Sequence, residues 1–240
     1  MPERSLRPAA VLVALCAAFP VASLAEVITT GCENPPNCLL LELTSGGTIQ
    51  VDDKIFTGFT FSPTGSDPAP QPSQITVTGT GVGTNAPGLR FSSPTEFRTG
   101  VNQGQNFIIN YTVSLVPGST MRITDIQFDL NSPFTVAGTG SIAGIEVANC
   151  RGETGLQPRR ELNVAGTATG ATDTALTQAP ATSCEVFKQL LLSGGQNGLA
   201  QLLSFDNQFS QKPVPEPSSL ALLGTALLLG GFGLRQLRAG

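Results

Sequence analysis

Two pairs of carboxylates and two pairs of cysteines are the residues whose types and spacing could do chemistry. Asp52 and Asp53 are adjacent, and Asp125 and Asp129 are four apart. Paired carboxylates can run glycoside hydrolysis, one as acid and the other as base or nucleophile. One carboxylate of such a pair can instead ligate calcium. The chain has no histidine, which removes a Ser-His-Asp triad, a Cys–His pair and most acid–base and metal chemistry near neutral pH. Asp125 and Asp129 alternate with Ile126, Phe128 and Leu130, so they and Gln127 should form the solvated face of a strand. Asp52-Asp53 falls between two strand-like runs, where Asp is favoured for bonding its own backbone. A turn is the expected role there, with a calcium site as the competing one. We assign no catalytic residue, cofactor or metal from these carboxylates.

Cys16 lies in an N-terminal apolar run, leaving Cys32, Cys38, Cys150 and Cys184 in the body. Four cysteines allow three pairings. Cys32–Cys38, closing the turn-prone Glu-Asn-Pro-Pro-Asn, and Cys150–Cys184 are favoured. Zinc is the competing reading, and the absence of histidine and of a Cys-x-x-Cys knuckle weighs against it. Gly79-Thr80-Gly81-Val82-Gly83 and Gly138-Thr139-Gly140 look like phosphate loops but open no helix, so they read as turns. Sugar-stacking platforms usually need Trp or Tyr. The chain has no Trp and one Tyr, Tyr111, and its Phe residues sit mostly at inward positions.

The elements that would position these residues are strands. Residues 48–51, 54–61, 74–78 and 88–92 alternate apolar and polar residues. Ile55, Phe59 and Phe61 should share one face. Residues 106–116 and 121–130 are the longest runs, and Pro117-Gly118 between them predicts a hairpin. Strands are also expected near 141–147, 161–165, 184–192 and 200–209. The last two should form a hairpin about the loop Ser193 to Gly198. Ser62–Ser73 and Gly166–Ser183 read as loops. Turn signals recur every 8–12 residues or so, and one polar face per strand argues against a parallel sheet. The fold class is therefore all-β, an antiparallel β-sandwich or jelly-roll-like body over 26–210, carried by a signal peptide and a C-terminal transmembrane helix. Residues 26–213 have 9 basic and 15 acidic residues, a net charge of −6. Their cations are not clustered, which makes nucleic acid an unexpected partner.

Both ends carry targeting features. Arg4 and Arg7 precede an apolar run from Ala9 to Phe19, and Ser23-Leu24-Ala25 offers small residues at a cleavage site. This predicts a signal peptide over 1–25 with the mature chain starting at Glu26. At the other end a linker over 211–217 contains Val214, Pro215, Glu216 and Pro217. Two prolines around a glutamate exclude helix and central strand. An uncharged run follows, giving a transmembrane helix over 218–235, then a basic tail over 236–240. Arg235 and Arg238 act as the stop and stay on the cytoplasmic side.

This tripartite tail resembles the PEP-CTERM sorting signal of exported bacterial proteins. The resemblance implies an exosortase-type membrane protease as partner, with Pro215, Glu216 and Pro217 as its recognition motif. It implies membrane anchoring before processing, then release or attachment at the cell surface. It further implies a bacterium that makes an extracellular polysaccharide matrix, with this protein as a non-enzymatic surface or matrix component. The body more loosely resembles exported β-proteins found ahead of that signal, through Asp52 to Phe59, Gly88 to Phe91 and Ile109 to Val113. The alternatives are a carbohydrate- or calcium-binding adhesin module and a carboxylate-dependent glycosidase.

Overall fold

The computed structural model describes residues 26–64, 70–131, 134–152, 155–156, 160–166 and 171–214. The expected signal peptide, the Pro215–Pro217 motif, the transmembrane helix, Arg235 and Arg238 lie outside the described residues. Among the described residues no helix is long and apolar enough to cross a membrane.

The described residues form sixteen strands: β1 (Val27–Thr30), β2 (Asn37–Leu39), β3 (Thr48–Val51), β4 (Lys54–Pro63), β5 (Thr76–Thr80), β6 (Gly88–Ser92), β7 (Arg98–Thr99), β8 (Gly104–Leu115), β9 (Met121–Leu130), β10 (Phe134–Ala137), β11 (Ser141–Gly152), β12 (Gly155–Leu156), β13 (Arg160–Gly166), β14 (Ala171–Ser193), β15 (Leu199–Leu202) and β16 (Ser204–Pro213). A short helix, α1 (Leu40–Thr44), follows β2. All pairings are antiparallel.

β14 organises the sandwich. Its C-terminal half, from Ser183 to Ser193, pairs with β8 on one side and β11 on the other. Its N-terminal half, from Ala171 to Leu176, pairs with β9. One sheet therefore runs β1-β3-β4-β8-β14-β11-β13 and the other β14-β9-β16-β6-β5-β2, with β14 passing from one to the other. β10, β15 and β7 form a small separate sheet. Strands of the two large sheets meet through aromatic side chains. Phe56 of β4 lies 5.8 Å from Phe209 of β16, and Tyr111 of β8 lies 6.1 Å from Phe91 of β6, between ring centroids. Burial of these faces supplies the main favourable term in folding.

Several expectations need correction. Residues 107–115 and 123–130 are strands but not a hairpin. β8 pairs with β4 and β14, and β9 with β14 and β16. The Pro117-Gly118 turn crosses between sheets, and Asp53 holds it through Val116 N–H at 2.8 Å and the Ser119 hydroxyl at 2.7 Å. Residues 184–192 and 200–209 likewise do not pair with each other. The second run divides into β15, in the small sheet, and β16. Much of the expected loop over 166–183 is strand, because Ala171–Leu176 adds to β9. In β4 it is Phe56, not Ile55, that faces inward with Phe59. Gly58, at φ +67°, sits in a bulge that shifts the register between Thr57 and Thr60 and resets the alternation. The expected linker starts later, since Gln211 to Pro213 belong to β16.

Candidate functional site

The titratable groups with the most altered environment lie between the sheets. Glu146 of β11 and Lys188 of β14 are cross-strand partners, and both side chains are wholly buried. Lys188 Nζ lies 2.5 Å from Glu146 Oε2 and 3.6 Å from the centre of the Phe128 ring. Asn207 of β16 donates to Glu146 Oε1 at 3.0 Å and to the Gln127 carbonyl at 2.9 Å. The Tyr111 hydroxyl donates to Asn207 Oδ1. Burial holds the Lys188 ammonium below its ordinary pKa against the pull of Glu146, and holds the Glu146 carboxyl above its own against the pull of Lys188. Burial also raises the Tyr111 hydroxyl well above its usual value, with the Glu146 charge adding to it. These groups do not meet solvent. They join β8, β11, β14 and β16 across the core, a structural role.

The expected site residues separate. Asp52, at φ +53°, accepts the N–H of Glu26 at 3.1 Å and of Gly83 at 2.8 Å. Asp53 accepts the Ser119 hydroxyl and the Lys54 ammonium, the latter at 3.3 Å. Both carboxylates of this turn are thus engaged inside the fold. Asp129 departs from the expected wet face. It is buried, and its Oδ2 accepts from Gln127 Nε2 at 2.7 Å. Asp125 stays half-buried. The reason is lateral: β9 lies between β14 and β16, so its outer face is crowded near Asp129. Disulfides join Cys32 to Cys38 and Cys150 to Cys184. Cys32, Cys38 and Glu42 converge, but the sulfurs are bonded to each other and Glu42 accepts the N–H of Glu33 at 2.8 Å and of Leu39 at 2.6 Å.

The outer face of the first sheet carries a shallow depression of about 300 Å³. Its lining includes Gly58, Asn110, Thr112, Asn149, Glu185 and Phe187. Register explains the grouping. Thr57, Thr112, Glu185 and Asn149 stand in one row across β4, β8, β14 and β11, and Thr60, Asn110, Phe187 and Val147 in the next. Asn110 Nδ2 donates to Thr60 Oγ1 at 2.9 Å. Thr112, Asn149 and Glu185 have no side-chain hydrogen-bond partner among the described residues. A Cβ on Gly58 would meet nothing within 4 Å, so the bulge leaves the depression open. Amides, a hydroxyl, one carboxylate and a half-buried ring can together grip a hydroxyl-rich, uncharged ligand. In the folded β14 Phe187 lies outward while Val186 and Lys188 lie inward, which the apolar run around it hid from the sequence. Tyr111 is buried and offers no platform.

No curated protein sequence matches this chain. Among solved structures it overlaps TmCBM61 in complex with beta-1,4-galactotriose, at 10% identity and a TM-score of 0.31, covering 64% of this chain and 88% of that one. It also overlaps the enzymatically active domain of bacteriophage CBA120 tailspike protein 4, at 13% identity and a TM-score of 0.26, covering 65% of this chain and 19% of that one. Overlaps this slight say nothing of what the chain binds. Residues 213–239 match the model of the PEP-CTERM protein-sorting motif, 27 of the 240 residues. The chain carries a PEP-CTERM sorting motif, which marks it as an exported protein.

Proposed function

We propose that this is a non-enzymatic surface or extracellular-matrix protein, delivered through an exosortase-type protease that acts on its C-terminal tail. The match of residues 213–239 to the sorting motif carries the proposal. A non-enzymatic body fits the carboxylates: Asp52 and Asp53 hold turns together, and Glu146 is locked to Lys188 in the core. Mass spectrometry of the mature protein provides the test. The expected chain starts near Glu26 and lacks Leu220 to Leu234. Replacing Pro215, Glu216 and Pro217 by alanine should leave an unprocessed, membrane-bound form, and normal maturation of that variant would refute the sorting role.

The depression on the outer sheet favours a second reading, that the body recognises a neutral polysaccharide. Its lining supplies donors and acceptors with no cation among the described side chains, so an anionic polymer finds no counter-charge. Affinity electrophoresis through neutral and acidic polysaccharides tests this. Retardation should appear with a neutral polymer and weaken in Phe187→Ala and in Asn149→Ala. Retardation unchanged by both substitutions would locate binding elsewhere.

A further inference from the structure

Both ends of the described body leave it at one pole. Glu26 donates its N–H to Asp52 Oδ1 at 3.1 Å, and its carbonyl accepts Asp52 N–H at 2.9 Å. Asp53, the next residue, holds Ser119 at 2.7 Å. Thr120, the residue after that, accepts Val214 N–H through its carbonyl at 2.8 Å. Residue 26 is therefore tied to residue 214 by a short run of hydrogen bonds through the turns at 52–53 and 116–120. Gly83, bonded to Asp52, brings a third turn to the same pole. The outward side chains here include Val82, Pro117 and Pro213. Val101 marks the opposite end, in the turn that enters β8, where it is 54% exposed.

We propose that this pole is the surface against which the membrane-embedded sorting protease seats while it handles residues 215–217. The proposal rests on the sorting reading above. The argument is one of reach. Val214 is still hydrogen-bonded within the fold, and Pro215 follows it directly. The apolar run begins at Leu220. Residues 215–220, fully extended, span at most about 20 Å. A protease that holds the motif at the membrane surface must therefore occupy the space beside this pole. The surface of the pole carries exposed Val82, Pro117 and Pro213, with exposed Lys212 standing opposite half-buried Arg122 on the neighbouring strand, while the Asp52 and Asp53 carboxylates are turned to internal donors. Two cations are fewer than the roughly four to eight that docking on anionic lipid uses, so a protein partner fits the pole better than a lipid headgroup layer.

Photo-crosslinking in the full-length precursor tests the pole. A photoreactive residue is placed at Val82, Pro117 or Val101 in cells carrying an epitope-tagged exosortase-type protease. Adducts containing the tagged protease are expected from positions 82 and 117 and not from 101. A flexible Gly/Ser spacer of about 20 residues between Val214 and Pro215, with a reach of roughly 25 Å, should abolish those adducts while tail removal continues. Tail removal without protease adducts at 82 or 117, equal adducts at 101, or adducts to lipid alone would overturn the proposal. Failure of the sorting reading shows separately, as normal maturation when Pro215, Glu216 and Pro217 are replaced by alanine.

Discussion

Lys188 and Glu146 sit opposite each other on neighbouring strands, both wholly buried against the aromatic core. A buried charge that loses its partner keeps its desolvation cost, so Lys188→Ala or Glu146→Ala should each destabilise by about 3–5 kcal/mol. Replacing both with apolar residues of similar size should cost far less, and urea unfolding of the two single variants and the double variant checks this. The pair also has a pH signature. Glu146 is raised above its ordinary 4.5 by burial, so its contribution is fully present below that value and is lost as pH rises through the folded pKa. Lys188 is lowered from 10.5 by burial, so the unfolded chain holds more protons above the folded pKa and stability rises with pH toward 10.5. The stability difference between wild type and the double variant should fall through the acid window and climb through the alkaline one. A flat difference would mean that burial does not disfavour these charges. Asp129 is buried as well, on the outer face of β9. Its loss leaves Gln127 without an acceptor, and Asp129→Ala should cost about 1–3 kcal/mol, measured by the same unfolding curves.

Among the elements, β14 carries the most, since one continuous strand joins both sheets. The Cys150–Cys184 disulfide ties it to β11 at a directly opposed pair. The closed loop, 34 residues in sequence separation, includes β13 and the first half of β14. Replacing both cysteines by alanine should lower stability by roughly 3–4 kcal/mol in the chain-entropy account, seen as an earlier urea midpoint. Non-reducing peptide mapping of the wild type should find Cys150 joined to Cys184. Much of this element pattern was legible in the sequence and its pairing was not. Alternation with period two in β8, β9 and β11 shows which face is buried, but not which strand lies alongside. Pro117-Gly118 therefore read as a hairpin turn, while in the structure it carries the chain across the sandwich. The first half of β14 is Thr- and Ala-rich, with side chains too small to print a periodic signal. At Gly58 a single residue in a left-handed conformation reverses the parity of everything after it, which no count of apolar positions anticipates. The outer depression stayed hidden for the same reason, because its lining comes from four strands whose register only the folded sheet sets. The buried pair left a trace that could have been read: each charge occupies an inward parity position in an otherwise apolar run.

At the scale of the whole molecule, the sorting motif is joined to a strand inside a sheet. β16 lies between β9 and β6, paired from Phe205 to Pro213 with the first and from Ser204 to Gln208 with the second. β1, at the other end of the described chain, is an edge strand paired to β3 alone. The two ends therefore differ in how they answer to force. Hydrogen bonds of an antiparallel ladder run across the strand, so a tug on the chain beyond Val214, directed away from the far pole, loads the β16 ladders together in shear. A tug between residues 26 and 214, which share a pole, peels β1 from β3 one bond at a time. Single-molecule pulling with handles at 101 and 214 should give a higher rupture force than handles at 26 and 214, since forced unfolding reports the barrier along the direction of load. Equal forces would mean that the strand order does not govern the response. A protein held by its C-terminal end and dragged by flowing water at the pole that carries Val101 would then be gripped along its strongest mechanical axis.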